Sequence, residues 1–121
     1  LDPSKFGMDG AIEFPPHKIA EGLGDKSRDK GGWQEDFQGH YPSYDELVAR
    51  SIADSEATDF PLIKGVTPTW DNEARKPSRG MGFVDSTPLK YEHWLRNANQ
   101  YAKKNPIADN ESFVIINAWN E

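Results

Sequence analysis

The sequence contains no cysteine, which excludes disulfides and thiolate metal centres as ways of holding it together. No apolar run approaches the ~20 residues that a bilayer core demands, so no spanning helix is expected. There is no excess of Lys and Arg either. The formal net charge is −6, and binding to nucleic acid by counterion release needs clustered cations, so a neutral or cationic ligand suits the chain better. The first residue is Leu1, with no basic and then apolar leader behind it, and the expectation is that processing or excision has removed the true start. A phosphate-cradling glycine loop and a nucleophile elbow are missing as well.

What is present is a chain of 121 residues, 36% hydrophobic, enough for one modest domain or for part of a larger one. Four Trp, four Tyr and six Phe exceed the needs of a small core. Flat rings with polar edges suit the apolar faces of sugars, although packing alone also uses rings.

Strand-like and helix-like segments alternate. Gly10 to Phe14 reads as a short strand halted by Pro15-Pro16. Residues 21–42, rich in Gly and charge and without a period, read as a long surface loop. Ser43 with Glu46 makes a capping box, and Tyr44, Leu47, Val48 and Ile52 then share one helical face to about Ser55. Leu62 to Val66 is a second strand, and residues 73–86 are a loop. Thr87-Pro88 starts a second helix, with Tyr91, Trp94, Leu95, Ala98, Tyr101 and Ala102 at helical spacing, ended by Asn105-Pro106. Phe113 to Asn117 is a third strand. Such an order predicts an α/β fold of parallel strands with right-handed crossovers. Three strands and two helices neither close a barrel nor cover both faces of a sheet, so apolar surface is left over.

In parallel α/β folds, functional groups collect at the carboxyl ends of the strands. Glu13 and His17 follow the first strand, Trp70, Asp71, Asn72 and Arg75 the second, and Asn117, Trp119, Asn120 and Glu121 the third. The opposite ends hold little besides Asp9, Asp59 and the Asn110-Glu111-Ser112 glycosylation pattern. Carboxylates, amides, an Arg and two Trp suit a hydroxyl-rich ligand, with forked hydrogen bonds to hydroxyls and indole faces for stacking. His17, His40 and His93 lie too far apart in sequence to suggest a metal site, and no cofactor is expected. Glycoside chemistry commonly uses a carboxylate pair; here Glu121 pairs with Glu13 or with Asp71. Bland alternatives stand beside these: an Asx-turn at Asp71, a core role for either Trp, an Arg75 that is solvated or pairs with Asp71 or Glu121, and a surface-strand place for Glu13, whose carboxylate is costly to bury unless paired.

The ordered blocks "GMDGAIEFPPH", "GVTPTWDNEAR", "STPLKYEHWL" and "VIINAWNE" resemble the WbsX family, glycoside hydrolase family 99-like domains found with bacterial surface-polysaccharide genes. The resemblance covers most of the chain outside 21–42. It implies a (β/α)8 TIM-like barrel, of which residues 1–121 form a single partial domain, its later-middle portion; such barrels need ~250 residues. It further implies that Glu121 is a base toward a sugar 2-hydroxyl on mannose-like residues, leading to a 1,2-anhydro intermediate. A second glutamate three residues on would act as general acid, so the isolated fragment is expected to be inactive while its parent is an enzyme. Glycosyl transfer in O-antigen or capsule (lipopolysaccharide) assembly, and non-catalytic carbohydrate binding, are the alternatives. Bacterial cytoplasm and periplasm both remain open, and the fragment is expected to self-associate through exposed apolar surface.

Overall fold

A computed structural model of the chain describes residues 2–55 and 58–120. Glu121, the expected catalytic base, lies outside the described residues. The fold is mixed α/β, with a three-stranded parallel sheet in the order β1-β2-β3. The strands are β1 (Ala11–Ile12), β2 (Leu62–Val66) and β3 (Val114–Ile116). Between β1 and β2 come the one-turn α1 (Ser27–Lys30) and α2 (Tyr44–Ser55), and between β2 and β3 comes α3 (Pro88–Lys104). Among the described residues no helix is long and apolar enough to cross a membrane.

Ala11 pairs with Leu62 and Ile12 with Ile63, while Lys64, Gly65 and Val66 pair with Val114, Ile115 and Ile116. Ladder contacts reach slightly beyond the strands, since the amide of Glu13 donates to the Ile63 carbonyl at 2.9 Å and that of Asn117 to Val66 at 2.8 Å. Pairing on β1 stops there because Pro15 and Pro16 have no N–H to give.

Helix α3 begins as its sequence dictates. The hydroxyl of Thr87 accepts from the Lys90 amide at 3.3 Å, with Pro88 in the first turn. Its apolar stripe buries Trp94, Ala98 and Ala102. Helix α2 buries Tyr44, Leu47 and Val48, and its entry is pinned by a bond from the Tyr44 amide to the Val84 carbonyl at 3.1 Å. Tyr44 is the hub of the core: its ring lies edge-on to Phe83 and Trp94, and its hydroxyl donates to the Thr67 carbonyl at 2.6 Å. The Trp94 indole donates to the Ser51 hydroxyl at 3.0 Å, tying the two long helices together inside the core.

Parallel register fixes the faces of the sheet, because side chains alternate along each strand. Leu62, Lys64 and Val66 are buried toward the helices; the Lys64 ammonium reaches the Ser51 carbonyl of α2 at 3.0 Å and lies 5.9 Å from the Tyr101 ring of α3. The alternate positions are left open: Ile12 and Phe14 are each 59% exposed, Phe113 46% and Ile115 37%. One face of the sheet therefore packs against the helices along β2, and the other presents Ile12, Phe14, Phe113 and Ile115 as an open apolar surface, with Pro15 lying over Gly65 at its carboxyl end.

The long connections are knitted to each other. Residues 38–42 run beside 78–84, with Gln38 donating to Ser78, His40 to Gly80 and Val84 to Pro42. Segment 21–42 includes α1 and buries Leu23, Ser27, Phe37 and Tyr41. Trp33, Phe37 and Tyr41 form a ring cluster there, with Trp33 and Phe37 stacked at 4.2 Å. Part of the aromatic excess is thus spent on holding connections down.

Candidate functional site

The loops after all three strands meet at the carboxyl end of the sheet. Just beyond β1, the buried Pro15 and Pro16 carry the exposed His17, whose ring lies 5.7 Å from Phe14 and 5.8 Å, edge-on, from Trp70. The Arg75 guanidinium sits 5.8 Å from the Trp70 ring, a cation–π distance. From β3, the Asn117 side-chain amide donates to the Pro15 carbonyl, so the third loop clamps the first. His17, Trp70, Arg75 and Asn117 are brought together in this way. The Trp70 Nε1–H is buried without a hydrogen-bond partner among the described residues.

Other expected residues have bonds and neighbours of their own. Asp71 accepts the Glu73 amide at 2.8 Å, the Asx-turn, and also the Tyr41 hydroxyl at 3.0 Å. Burial raises the pKa of that phenol, and its bond to Asp71 raises it further, so Tyr41 stays a donor across the working pH range. Asn72 accepts the Met81 amide at 2.7 Å, and its own amide donates to the Met81 carbonyl. Asp71 and Asn72 therefore brace the 71–82 loop against its neighbours. Trp119 is 73% exposed and lines a separate concavity together with Pro68, Thr69 and Tyr91. Asn120 is exposed on the turn beside it.

Glu13 points into the helix layer, on the same sheet face as Lys64. One carboxylate oxygen accepts from the Lys64 ammonium, and the other accepts from the Gly65 amide at 3.1 Å. Burial raises the Glu13 pKa, with the Lys64 charge and both hydrogen bonds opposing that rise. Glu13 is thus no surface strand residue but one half of a buried ion pair, its carboxylate turned toward Lys64 and Gly65. Lys64 was missed by sequence reasoning, although a signal existed. A lone cation inside the apolar run Leu62 to Val66 needs a counter-ion, and Glu13 occupies the matching place in the neighbouring strand. Tyr41 and Tyr91 were missed because nothing local marks a ring that will face a distant loop. Among the described residues no group of three or more His, Asp and Glu side chains is placed to hold a metal ion.

The family model described as Glycosyltransferase WbsX matches residues 1–121, the whole chain. The chain belongs to the WbsX family. WxcX proteins of two strains of Xanthomonas campestris pv. campestris are each 34% identical to it over 121 residues, covering 99% of this chain and 17% of each relative. The chain thus spans about a sixth of the length of the curated relatives it matches. No solved structure matches it. WbsX membership fits the four sequence blocks, which supply β1 and its proline turn, the end of β2 with the Trp70 loop, the start of α3, and β3 with its Trp119 turn.

Proposed function

We propose that this WbsX chain is part of a carbohydrate-active domain acting on a bacterial surface polysaccharide, its cleft lying over the carboxyl ends of the strands. The observation that carries the reading is the cluster in which His17 and Arg75 flank the Trp70 ring while Asn117 clamps the Pro15 turn. An aromatic platform with polar groups at its edges, at the functional end of a parallel sheet, is the arrangement that polyhydroxylated ligands require. In this reading Trp70 and Trp119 stack on sugar faces; His17, Arg75, Asn117 and Asn120 meet hydroxyls; Glu121 is the base near a sugar 2-hydroxyl of a mannose-like residue. Glu13, Asp71 and Asn72 serve as the framework that holds the loops.

The bare apolar sheet face supports a further part of the proposal, that in the intact protein these β/α units belong to a (β/α)8 barrel whose interior covers Ile12, Phe14 and Ile115. Without those units the same face drives self-association. The family description, Glycosyltransferase WbsX, also supports a second reading, glycosyl transfer from an activated sugar.

The test is Glu121→Gln in the intact polypeptide, assayed for cleavage of mannose-containing glycans and for transfer from nucleotide sugars. Loss of ~10²–10⁴-fold in either activity is expected, and whichever activity falls identifies the direction. Full activity of the variant in both assays sinks the catalytic role. Glycan binding by the wild type with neither activity leaves a binding module.

A further inference from the structure

We infer that Tyr41 and Tyr44 are positioning residues for the cleft, their hydroxyls holding the Trp70 loop at both of its ends and so setting the angle at which the indole meets a ligand. This rests on the carbohydrate reading above and adds to it the residues that hold its platform. Trp70 lies in residues 67–72, between β2 and the single turn Glu73–Arg75. At the near end of that loop the Tyr44 hydroxyl donates to the Thr67 carbonyl at 2.6 Å. At the far end the Tyr41 hydroxyl donates to the Asp71 carboxylate at 3.0 Å. Both phenols come from one short run, Tyr41-Pro42-Ser43-Tyr44.

The loop needs such tethers. Residues 67–70 belong to no helix or strand, and Pro68 has no N–H to give. The Thr67 hydroxyl bonds within the loop, to the Thr69 carbonyl at 2.7 Å, and Thr69 shares a hydrogen bond with Ser86 at 3.1 Å. Those bonds stop one residue short of Trp70, and the Asp71 bond takes hold on its other side.

A phenol holds a loop only if its own ring cannot yield, and neither of these can. Tyr44 is fully buried, edge-on to Phe83 and Trp94. Tyr41 is buried against Trp33 and Phe37, while its amide donates to Asp25 at 2.7 Å and its carbonyl accepts the Lys26 amide at 2.9 Å. Gly82 passes between the Tyr41 ring and the Trp70 backbone: a β-carbon there would lie 2.8 Å from the Trp70 carbonyl oxygen and closer still to the ring. Ring, glycine and Trp70 backbone are therefore packed without slack. Burial raises the pKa of both phenols, and the Asp71 bond adds to the rise at Tyr41, so both remain donors at neutral pH.

Tyr41 closes the 21–42 connection and Tyr44 opens α2. Through Tyr41 that long connection shapes the cleft without having to reach a ligand itself. Small errors in the platform matter, because a gap of about 0.5–1 Å already forfeits a quarter to a half of a dispersion contact.

The experiment uses the intact polypeptide labelled with 5-fluorotryptophan. Fluorine NMR reads Trp70, whose signal is assigned by its disappearance in Trp70→Phe, and calorimetric titration with a linear mannotriose reads binding. Tyr41→Phe and Tyr44→Phe each delete one hydroxyl and keep the ring. Each is expected to shift or broaden the Trp70 signal and to weaken mannotriose binding roughly five-fold, the scale of one hydrogen bond. Because Tyr41 acts through Asp71, adding Tyr41→Phe to Asp71→Ala is expected to weaken binding by less than about two-fold more; a fully additive loss overturns that path. An unchanged Trp70 signal in both variants overturns the positioning role and leaves the carbohydrate reading intact. A moved signal with affinity within about two-fold of wild type overturns it as well, since the ligand then ignores the angle. Changes of equal size in the other indole signals show general loosening and also overturn it. If Tyr44→Phe fails to fold, Tyr41→Phe decides alone, because Tyr41 packs in the smaller cluster with Phe37 and Val84 and not in the main core. A wild type that binds no mannotriose removes the carbohydrate reading and this inference with it, whatever the Trp70 signal does.

Discussion

Removing Lys64 tests whether Glu13 belongs to the framework or to the ligand. Lys64 is 2% exposed and Glu13 14%, so the two charges sit out of water facing one another. Deleting one partner of such a pair leaves an uncompensated buried charge, at a cost of ~3–5 kcal/mol. Glu13 keeps its bond from the Gly65 amide and a sliver of exposure, which places Lys64→Met near ~3 kcal/mol. At ~1.4 kcal/mol per factor of ten, that is roughly a hundred-fold faster amide exchange. Hydrogen exchange of the intact polypeptide, read over Leu62–Val66 and Tyr44–Ser55 and compared with wild type at the same pH, is the assay. The pH dependence has a defined sign. Burial raises the folded pKa of Glu13 above its unfolded value, so the folded state binds more protons in that window and its stability falls as pH rises through it. Without the opposing Lys64 charge this effect is larger, so the variant is expected to be weakest at neutral pH and to recover as pH drops toward 5. Replacing both residues, Glu13→Leu with Lys64→Met, is expected to restore protection to wild-type level or above it. Exchange of Lys64→Met within about three-fold of wild type at pH 7 would refute the framework role, because three-fold is under ~1 kcal/mol. Glycan binding lost in Glu13→Gln with protection unchanged would return Glu13 to the ligand.

Two further outcomes follow from the geometry. A β-carbon on Gly65 would come within 2.5 Å of Pro15 Cδ and 2.6 Å of the Glu13 carbonyl oxygen, so Gly65→Ala is expected to cost ~1–3 kcal/mol by overpacking and to loosen the Pro15 turn that Asn117 clamps; urea denaturation and glycan titration should both register it. Asp25 loses ionisation to burial, but bonds from Tyr41 and Ser27 outweigh that and lower its pKa. A lowered folded pKa gives stability that is present above the unfolded value of 3.8 and lost as pH falls through the folded one. The thermal-stability gap between wild type and Asp25→Asn is therefore expected to narrow between about pH 5 and pH 3; a gap that widens there contradicts the assignment.

Much of the local structure was determined by the sequence itself. Thr87-Pro88 and the stripe from Tyr91 to Ala102 define α3, and the alternation of strands with helices implies the parallel order that β1, β2 and β3 adopt. Caps, proline and periodicity act over a few residues, so their signals survive in a linear reading. Placing His17, Trp70, Arg75 and Asn117 at one end of the sheet also follows from strand order, because parallel strands aim their carboxyl ends together.

Only the tertiary structure decided how each polar group is used. Glu13 meets Lys64 across 51 positions, and Tyr41 reaches Asp71 across 30; no local pattern encodes such partners, since chain reversal chooses them. Asp71 and Asn72 look the same in the sequence whatever they bond, and it was the packing of residues 38–42 beside 78–84 that gave them Tyr41 and Met81 as partners. The two indoles were equal in the sequence as well. Ring and cation contacts with His17 and Arg75 set Trp70 in a polar cluster, whereas Trp119 stands on the turn after β3, which passes through a left-handed Ala118.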